Sequence, residues 1–196
     1  MDALSLLHLP PQHLTDGVGT LRDIWTDSGA GQNLRWLLRL VELRSSHGKT
    51  DAPAGTEQLI VGISGPQVRI GAGRGVPLRR DRALGHGTSL IEMHRPVERS
   101  AGASRLLMLA YDPRVVSARA TFDDVDGDAV VAPGTEALVV LRGHVEHAGK
   151  RLDSNSVSIF RAPVAEAIHA RDARVLTLQF SDAYPSSAEE RLAVAG

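Results

Sequence analysis

The chain has 196 residues and a formal net charge of −1, with 42% hydrophobic and 23% charged residues. That length allows one large domain or two small ones, and the composition suits an apolar core under a wettable surface. The near-neutral charge argues against nucleic-acid binding, because neutralising phosphates needs a basic excess. The absence of cysteine excludes disulfides, thiol catalysis and cysteine metal ligands, and it is typical of a reducing cytosol. We therefore expect a cytoplasmic protein without a nucleic-acid partner.

The N-terminal sequence MDALSLLHLPP lacks the basic segment of a signal peptide. No stretch of the chain approaches the roughly 20 apolar residues that span a bilayer. The sequence thus predicts neither a signal peptide nor a membrane partner.

In chain order, the predicted elements are short apolar runs between glycine, proline and aspartate. They include LRWLLRLVEL from Leu34, EQLIVGI from Glu57, TSLIEMH from Thr88, RLLMLAY from Arg105, VVSARATF from Val115, ALVVLRG from Ala137 and RVLTLQF from Arg174. Leu176 and Phe180 alternate with Thr177 and Gln179, a period of two that indicates half-buried strands. Leucine favours helix in LRWLLRLVEL, but we predict a strand because VVSARATF takes the equivalent place later in the chain. After these strands, Ser187 and Glu190 could form a capping box, which predicts a short C-terminal helix.

Three blocks of sequence occur twice in the same order. PAGTEQLIVGISG from Pro53 returns as PGTEALVVLRG from Pro133, SLIEMHRPVE returns as SVSIFRAPVAE, and SRLLMLAY returns as ARVLTLQF. The offsets are 79, 67 and 69 residues. Two copies at so long a period indicate a duplicated domain rather than a solenoid. The repeat predicts that Gly55 superposes on Gly134, Pro96 on Pro163 and Arg105 on Arg174.

Many short strands in two equivalent sets predict an all-β protein of two small barrels or jelly rolls. We place the first barrel at residues 1–110, the second at 111–183 and a tail at 184–196. The Gly-rich IGAGRGVP at 70–77 lacks the features of a phosphate loop and is predicted to be a hairpin tip. The acidic DDVDGD at 123–128 lacks calcium-loop spacing and is predicted to link the barrels.

A strand entered through P-x-G-T-E and left through glycine resembles the cupin barrel, so two copies would make a bicupin. Read in order, the blocks GVGTLRDI (17–24), LRWLLRLVEL (34–43), PAGTEQLIVGISG (53–65) and LLMLAYDPRVVSARATF (106–122) resemble the HutD/Ves family. The resemblance covers roughly residues 10–180. It implies a non-enzymatic bicupin that binds a small metabolite and regulates or modulates histidine catabolism.

The resemblance also implies where a ligand would bind and how far this chain diverges. The matching polar and aromatic positions, which the family would use to line the mouth of the first barrel, are Arg22, Asp23, Trp36, Arg39, Glu57 and Gln58. Leu37, Gln58 and Leu107 stand where the family has polar or basic residues. A pocket that loses hydrogen-bond partners binds its old ligand less well. We therefore expect weak binding of the family's acidic catabolites and a less charged ligand here.

The alternative is an enzyme, with or without a metal. Metal-dependent cupins need three or four convergent ligands, starting from an H-x-H pair. Here His144 and His147 are three apart on one strand and point to opposite faces, while His47 and His86 lie alone in predicted loops. The sequence thus predicts no metal, no cofactor and no catalytic residue, favours a non-enzyme, and leaves a homodimer open.

Overall fold

The computed structural model describes residues 2–28, 34–96, 102–160 and 165–183, and within these ranges every regular element is a β-strand. The strands are β1 (Asp2–Ser5), β2 (Gln12–His13), β3 (Asp16–Ser28), β4 (Leu34–Asp51), β5 (Glu57–Ser64), β6 (Val68–Ile70), β7 (Val76–Leu78), β8 (Arg82–His86), β9 (Leu90–His94), β10 (Ser104–Tyr111), β11 (Val116–Val131), β12 (Thr135–His147), β13 (Lys150–Asp153), β14 (Ser156–Ile159) and β15 (Glu166–Asp182). The prediction of an all-β protein is confirmed. The described part of the chain contains no helix with the length and apolarity that a membrane crossing requires.

The strands form two antiparallel sheets. The first sheet runs β7-β6-β9-β4-β10-β5-β8, with β3 paired to β4 and β2 to β3. The second sheet runs β1-β14-β12-β15-β11, with β13 paired to β12. Strand β1 thus joins the second sheet, although it begins the chain. The leucine-rich β4 is a strand, as predicted, and its leucines are explained by burial on both faces, with Leu38 and Val41 fully buried.

Corresponding strands pair in the same order in both sheets. In the first sheet β4 pairs with β10, β10 with β5, and β5 with β8. In the second sheet β11 pairs with β15, β15 with β12, and β12 with β14. The hairpin of β6 and β7 corresponds to the end of β12 and β13. An origin by internal duplication stays a prediction, and one of its three block matches is wrong. SLIEMH forms β9, which pairs with β4, whereas SVSI forms β14, which pairs with β12 as β8 pairs with β5.

Individual residues of the repeat occupy matching places. Gly55 and Gly134 precede β5 and β12 with φ of 76° and 79°, a left-handed conformation that glycine adopts without steric cost. Arg105 and Arg174 each bind a carboxylate on the neighbouring strand. The Arg105 Nε donates to Glu42 at 3.0 Å, and the Arg174 Nη1 donates to Asp124 at 2.8 Å. The predicted match of Pro96 with Pro163 cannot be described, because Pro163 lies outside the described residues.

The apolar residues form three cores, and the largest lies between the two sheets. It joins Trp36, Leu38 and Leu107 of the first sheet to Val139 and Leu176 of the second, all at most 1% exposed. Leu107 therefore faces the other sheet. Since side chains alternate along a strand, the opposite faces of the same strands fill the other two cores.

Each half encloses a core of its own. In the first half, residues from β4, β5, β7, β9 and β10 converge, including Val41, Ile60 and Leu78. Strand β7 lies at one end of the sheet, so this convergence requires the sheet to curve back on itself. In the second half, buried residues that include Val140 and Val145 converge into a separate core. This curvature gives each half the barrel-like form that the short strands predicted.

The acidic residues 123–128 are part of β11, so the prediction that they link the two barrels was wrong. Strand β11 is the last strand of its sheet, and charged residues on such an edge hinder pairing with other chains. The acidic residues and the register shift between Val125 and Gly127 hide the strand pattern in the sequence. The helix predicted at Ser187 and Glu190 lies outside the described residues.

Gly143 tests how closely the backbone of β12 approaches that of β15. It has φ +69°, and a Cβ there would lie 2.2 Å from the Asp172 carbonyl oxygen, as a Cβ on Gly65 would from that of Ala103. Gly143→Ala should lower the free energy of unfolding by about 2 to 4 kcal/mol, from left-handed strain and overpacking together. Gly149, at φ +73° with nothing within 4 Å, is the matched control. Urea denaturation should show a loss of only about 1 kcal/mol for Gly149→Ala; equal losses would contradict the close approach.

Candidate functional site

The six residues predicted to bind a ligand lie on two different faces of the first sheet. Paired residues in antiparallel strands share a face. Arg39 is paired with Asp23 on β3 and Met108 on β10, and Met108 belongs to the core inside the first half. The face that holds Asp23, Arg39 and Gln58 thus points into the first half. The face that holds Arg22, Trp36 and Glu57 points toward the second sheet, because Arg22 pairs with Leu40 and Trp36 pairs with Tyr111.

Neighbouring groups of the protein form most of the hydrogen bonds of Asp23, Arg39 and Gln58. The Arg39 Nε donates to Asp23 at 2.7 Å, and its Nη1 donates to the Asp51 carbonyl oxygen at 2.9 Å. Gln58 is 1% exposed and donates to Thr56, while its Oε1 has no hydrogen-bond partner within the described residues. A ligand carboxylate at Arg39 would therefore have to displace the carboxylate of Asp23.

Arg22 and Glu57 are also bound to neighbours. The Arg22 Nε donates to the Leu9 carbonyl oxygen at 3.1 Å. The Tyr111 hydroxyl donates to Glu57 at 3.0 Å. Burial, aided by the Glu57 carboxylate, raises the pKa of Tyr111 to about 12, so the phenol stays protonated as the donor. The Tyr111–Glu57 contact holds the start of β5 against the end of β10.

The prominent opening in the described structure lies between the two sheets. This inter-sheet cleft has a volume of about 710 Å³, within the range of small-molecule sites. The first sheet contributes Trp25, Asp27, Arg35 and Trp36, and the second half contributes Glu136, Ile159, Phe160, Phe180, Ser181 and Asp182. Of the six predicted residues, only Trp36 lines it. Both tryptophans of the chain lie in its wall.

An ion pair crosses from one sheet to the other in the wall of the inter-sheet cleft. The Arg35 Nη1 donates to Glu136 Oε2 at 2.7 Å, and its Nη2 donates to Oε1 at 2.5 Å. The Trp36 Nε1 donates to the same Glu136 Oε2 at 2.7 Å. Arg35 also donates to Asp27 at 3.0 Å. The Glu136 carboxylate holds the pKa of Arg35 above its usual value, despite partial burial of the guanidinium.

Aromatic packing fixes this ion pair in place. The rings of Trp36 and Phe180 are 5.1 Å apart between centroids, and the Arg35 guanidinium lies 5.8 Å from the centre of the Phe180 ring. A planar guanidinium that is held bidentately and stacked on a ring loses little freedom when it is fixed. The Trp36 indole is 1% exposed, so it supports Glu136 and offers little surface to a ligand.

Arg35 and Glu136 were not among the residues predicted from the sequence, although the sequence contains one signal for Glu136. Glu136 stands in the repeated P-x-G-T-E turn at the position of Glu57. In the first half Glu57 accepts from Tyr111, but in the second half Phe180 replaces that tyrosine and Glu136 accepts from Arg35 and Trp36. Because the second half has no tyrosine to bind this repeated glutamate, the sequence indicated that Glu136 binds a group from another part of the chain.

The described residues do not fit a cupin metal site. No three side chains of histidine, aspartate or glutamate among them come close enough together to hold an ion. His147 is 2% exposed and contacts the Glu166 carboxylate, and His144 lies on the other face of β12. We therefore derive no chemistry through a metal.

Comparisons with known proteins find similar solved structures but no matching sequence family. No protein-family model matches the sequence, and no curated protein sequence matches it. Solved structures do match. A conserved protein of unknown function, PA5104 from Pseudomonas aeruginosa PAO1, has a TM-score of 0.70 at 20% identity, over 92% of this chain and 98% of its own. HutD from Pseudomonas fluorescens SBW25 has a TM-score of 0.69 at 17% identity, over the same shares of the two chains.

A third neighbour carries the fold's name. The cupin 2 conserved barrel domain protein from Leptotrichia buccalis has a TM-score of 0.55 at 10% identity, over 92% of this chain and 96% of its own. This chain has the cupin fold. The resemblance to HutD/Ves proteins is confirmed at the level of the fold, and identities this low carry no ligand or activity across. In this cupin fold the inter-sheet cleft is therefore judged on its own residues.

The strength of the inter-sheet ion pair can be measured by a double-mutant cycle with Arg35→Ala and Glu136→Ala. Arg35 and Glu136 are 28% and 19% exposed, so little solvent screens them. We expect a coupling of about 1 to 3 kcal/mol in the free energy of unfolding. The exposed pair Arg151–Asp153, at 59% and 66%, is the control and should couple by less than about 1 kcal/mol. Equal coupling in the two pairs would show that Arg35–Glu136 is only a surface contact.

The prediction of a metal-free protein is checked by elemental analysis after purification without chelators. We expect iron, manganese, nickel and zinc well below one atom per chain, because a working site needs three or four convergent ligands. One metal atom per chain that is lost when His144 and His147 are changed to alanine would contradict this.

Proposed function

We propose that this protein binds a small metabolite in the inter-sheet cleft and acts without catalysis, as a regulator or modulator of amino-acid catabolism. The observation that carries the proposal is the cleft itself, with charged and aromatic walls from both halves. Its volume of about 710 Å³ suits a molecule of the size of an amino-acid derivative. The likeness in fold to HutD supports histidine breakdown as the first pathway to examine.

The chemistry of the cleft supports binding rather than catalysis. A general base needs a lone pair directed at its substrate. The Glu136 carboxylate instead accepts two hydrogen bonds from Arg35 and one from Trp36. Asp27 is likewise bound to Arg35. These carboxylates are held as fixed charges, which is what a binding site requires.

The position of the cleft supports a regulatory role. Its walls come from both sheets, so a bound ligand would contact both halves at once. Binding that favours one packing of the halves shifts the population toward it. A ligand could thus change the surface that the protein presents, including the surface of a homodimer.

The test is a titration with histidine, urocanate, N-formylglutamate and related amines, acids and amides of similar size. Binding is followed by calorimetry and tryptophan emission, which reports on the cleft because both tryptophans line it. We expect saturation by at least one compound at one per chain, its recovery unchanged by NMR, and weak or absent binding of urocanate and N-formylglutamate.

Each other outcome has a defined meaning. Consumption of the bound compound would show an enzyme. Tight binding of either acid, lost in Asp23→Ala, would place the site in the first half. The matched variant Trp25→Phe keeps an aromatic wall and leaves Trp36 as the single tryptophan. An emission change that persists in it therefore comes from a ligand beside Trp36.

A further inference from the structure

The charges that line the inter-sheet cleft do not balance. Among the described residues that line it, Asp27, Glu136 and Asp182 carry carboxylates and Arg35 carries a guanidinium. The neighbouring Asp112 and Arg114 pair with each other at 2.7 Å, so they add no net charge. The described lining of the cleft therefore carries a net negative charge.

Arg35 is poorly placed to attract an anion. Its Nη1 donates to both Asp27 and Glu136, its Nη2 donates to Glu136, and its guanidinium stacks over Phe180. A carboxylate ligand would have to compete with two carboxylates that are already in place. It would also approach Asp182, which is exposed at the rim. Like charges brought together in a cleft with apolar walls repel more strongly than they do in water.

The remaining walls are apolar or aromatic. Trp25 is half-buried, and Ile159, Phe160 and Phe180 form the floor with at most 8% exposure. An indole face attracts organic cations as well as apolar groups. The cleft thus offers negative charge at its rim and an apolar surface within.

We propose that the inter-sheet cleft selects a small organic cation, an ammonium group carried on an apolar or aromatic body. This rests on the proposed function, because it names the class of ligand for the same site. The ammonium group lies near Asp182 and Asp27, and the body packs against Trp25 and the apolar floor. Amines formed by decarboxylation of amino acids belong to this class, while acidic catabolites do not.

The test uses three probes with similar bodies and different charge: phenethylamine, phenethyl alcohol and hydrocinnamate. Affinities for the full-length protein are measured by calorimetry and tryptophan emission. We expect the order amine, alcohol, carboxylate, with the amine at least about ten-fold tighter than the carboxylate. Added salt should weaken the amine and leave the alcohol unchanged, because salt screens only charged partners.

Asp182→Asn removes one negative charge without touching the inter-sheet ion pair. It should weaken the amine about three- to ten-fold and change the alcohol little. Asp126→Asn is the matched control, because Asp126 is an exposed aspartate on β11 that lies ten residues from Val116, the partner of Asp182. It should leave all three affinities unchanged.

The outcomes separate the two proposals. A carboxylate that binds as tightly as the amine, or an amine that is insensitive to salt and to Asp182→Asn, would overturn the cation proposal and leave metabolite binding intact. Failure of all three probes and of every compound in the metabolite titration would overturn both. Amine binding with the same loss in Asp126→Asn as in Asp182→Asn would indicate attraction to the surface as a whole, and would also overturn the cation proposal.

Discussion

The inter-sheet ion pair between Arg35 and Glu136 is the contact on which this architecture depends at one end. Elsewhere the two halves meet mainly through apolar side chains such as Leu38 and Val139, which specify burial but little direction. One further ion pair joins them, with Arg174 Nε 3.7 Å from Asp81 Oδ2. The bidentate pair, with the Trp36 indole on the same carboxylate, sets a defined position of one sheet against the other. Because its groups are only partly exposed, removing either partner would leave a poorly solvated charge.

The same pair sets the character of the inter-sheet cleft. Glu136 and Arg35 hold their charges in fixed places, so the wall is already ordered before a ligand arrives, which lowers the entropic cost of binding. Arg35 is committed to Asp27 and Glu136, so the described lining of the cleft keeps a net negative charge. An interaction that stabilises the packing of the sheets thus also determines which ligands the cleft can accept.

The two halves have similar strand pairing but different side-chain contacts. Glu57 and Glu136 occupy the same turn of the repeat, yet the first binds Tyr111 within its own half and the second binds Arg35 across the sheets. Strands β2 and β3 cover β4 in the first sheet, whereas the corresponding β11 ends the second sheet and carries a row of aspartates. Similar backbones therefore present different surfaces, and the cleft arises where they meet.

The sequence by itself determined the β class and most of the strands, and it indicated the matching positions of Gly55 with Gly134 and Arg105 with Arg174. Those properties follow from local patterns: period-two alternation as in Leu176 to Phe180, and turns that need glycine, such as Gly55 and Gly134. The acidic part of the edge strand β11, from residue 123, escaped because its exposed aspartates and a register shift interrupt the alternation. Alternation along the predicted strand already separates Trp36 from Arg39, but only the tertiary structure showed that Arg35 meets Glu136, about a hundred residues away in the chain. Local patterns fix which face a side chain takes within a strand, but the partner across a core depends on how two sheets pack, and that is decided by the whole chain at once.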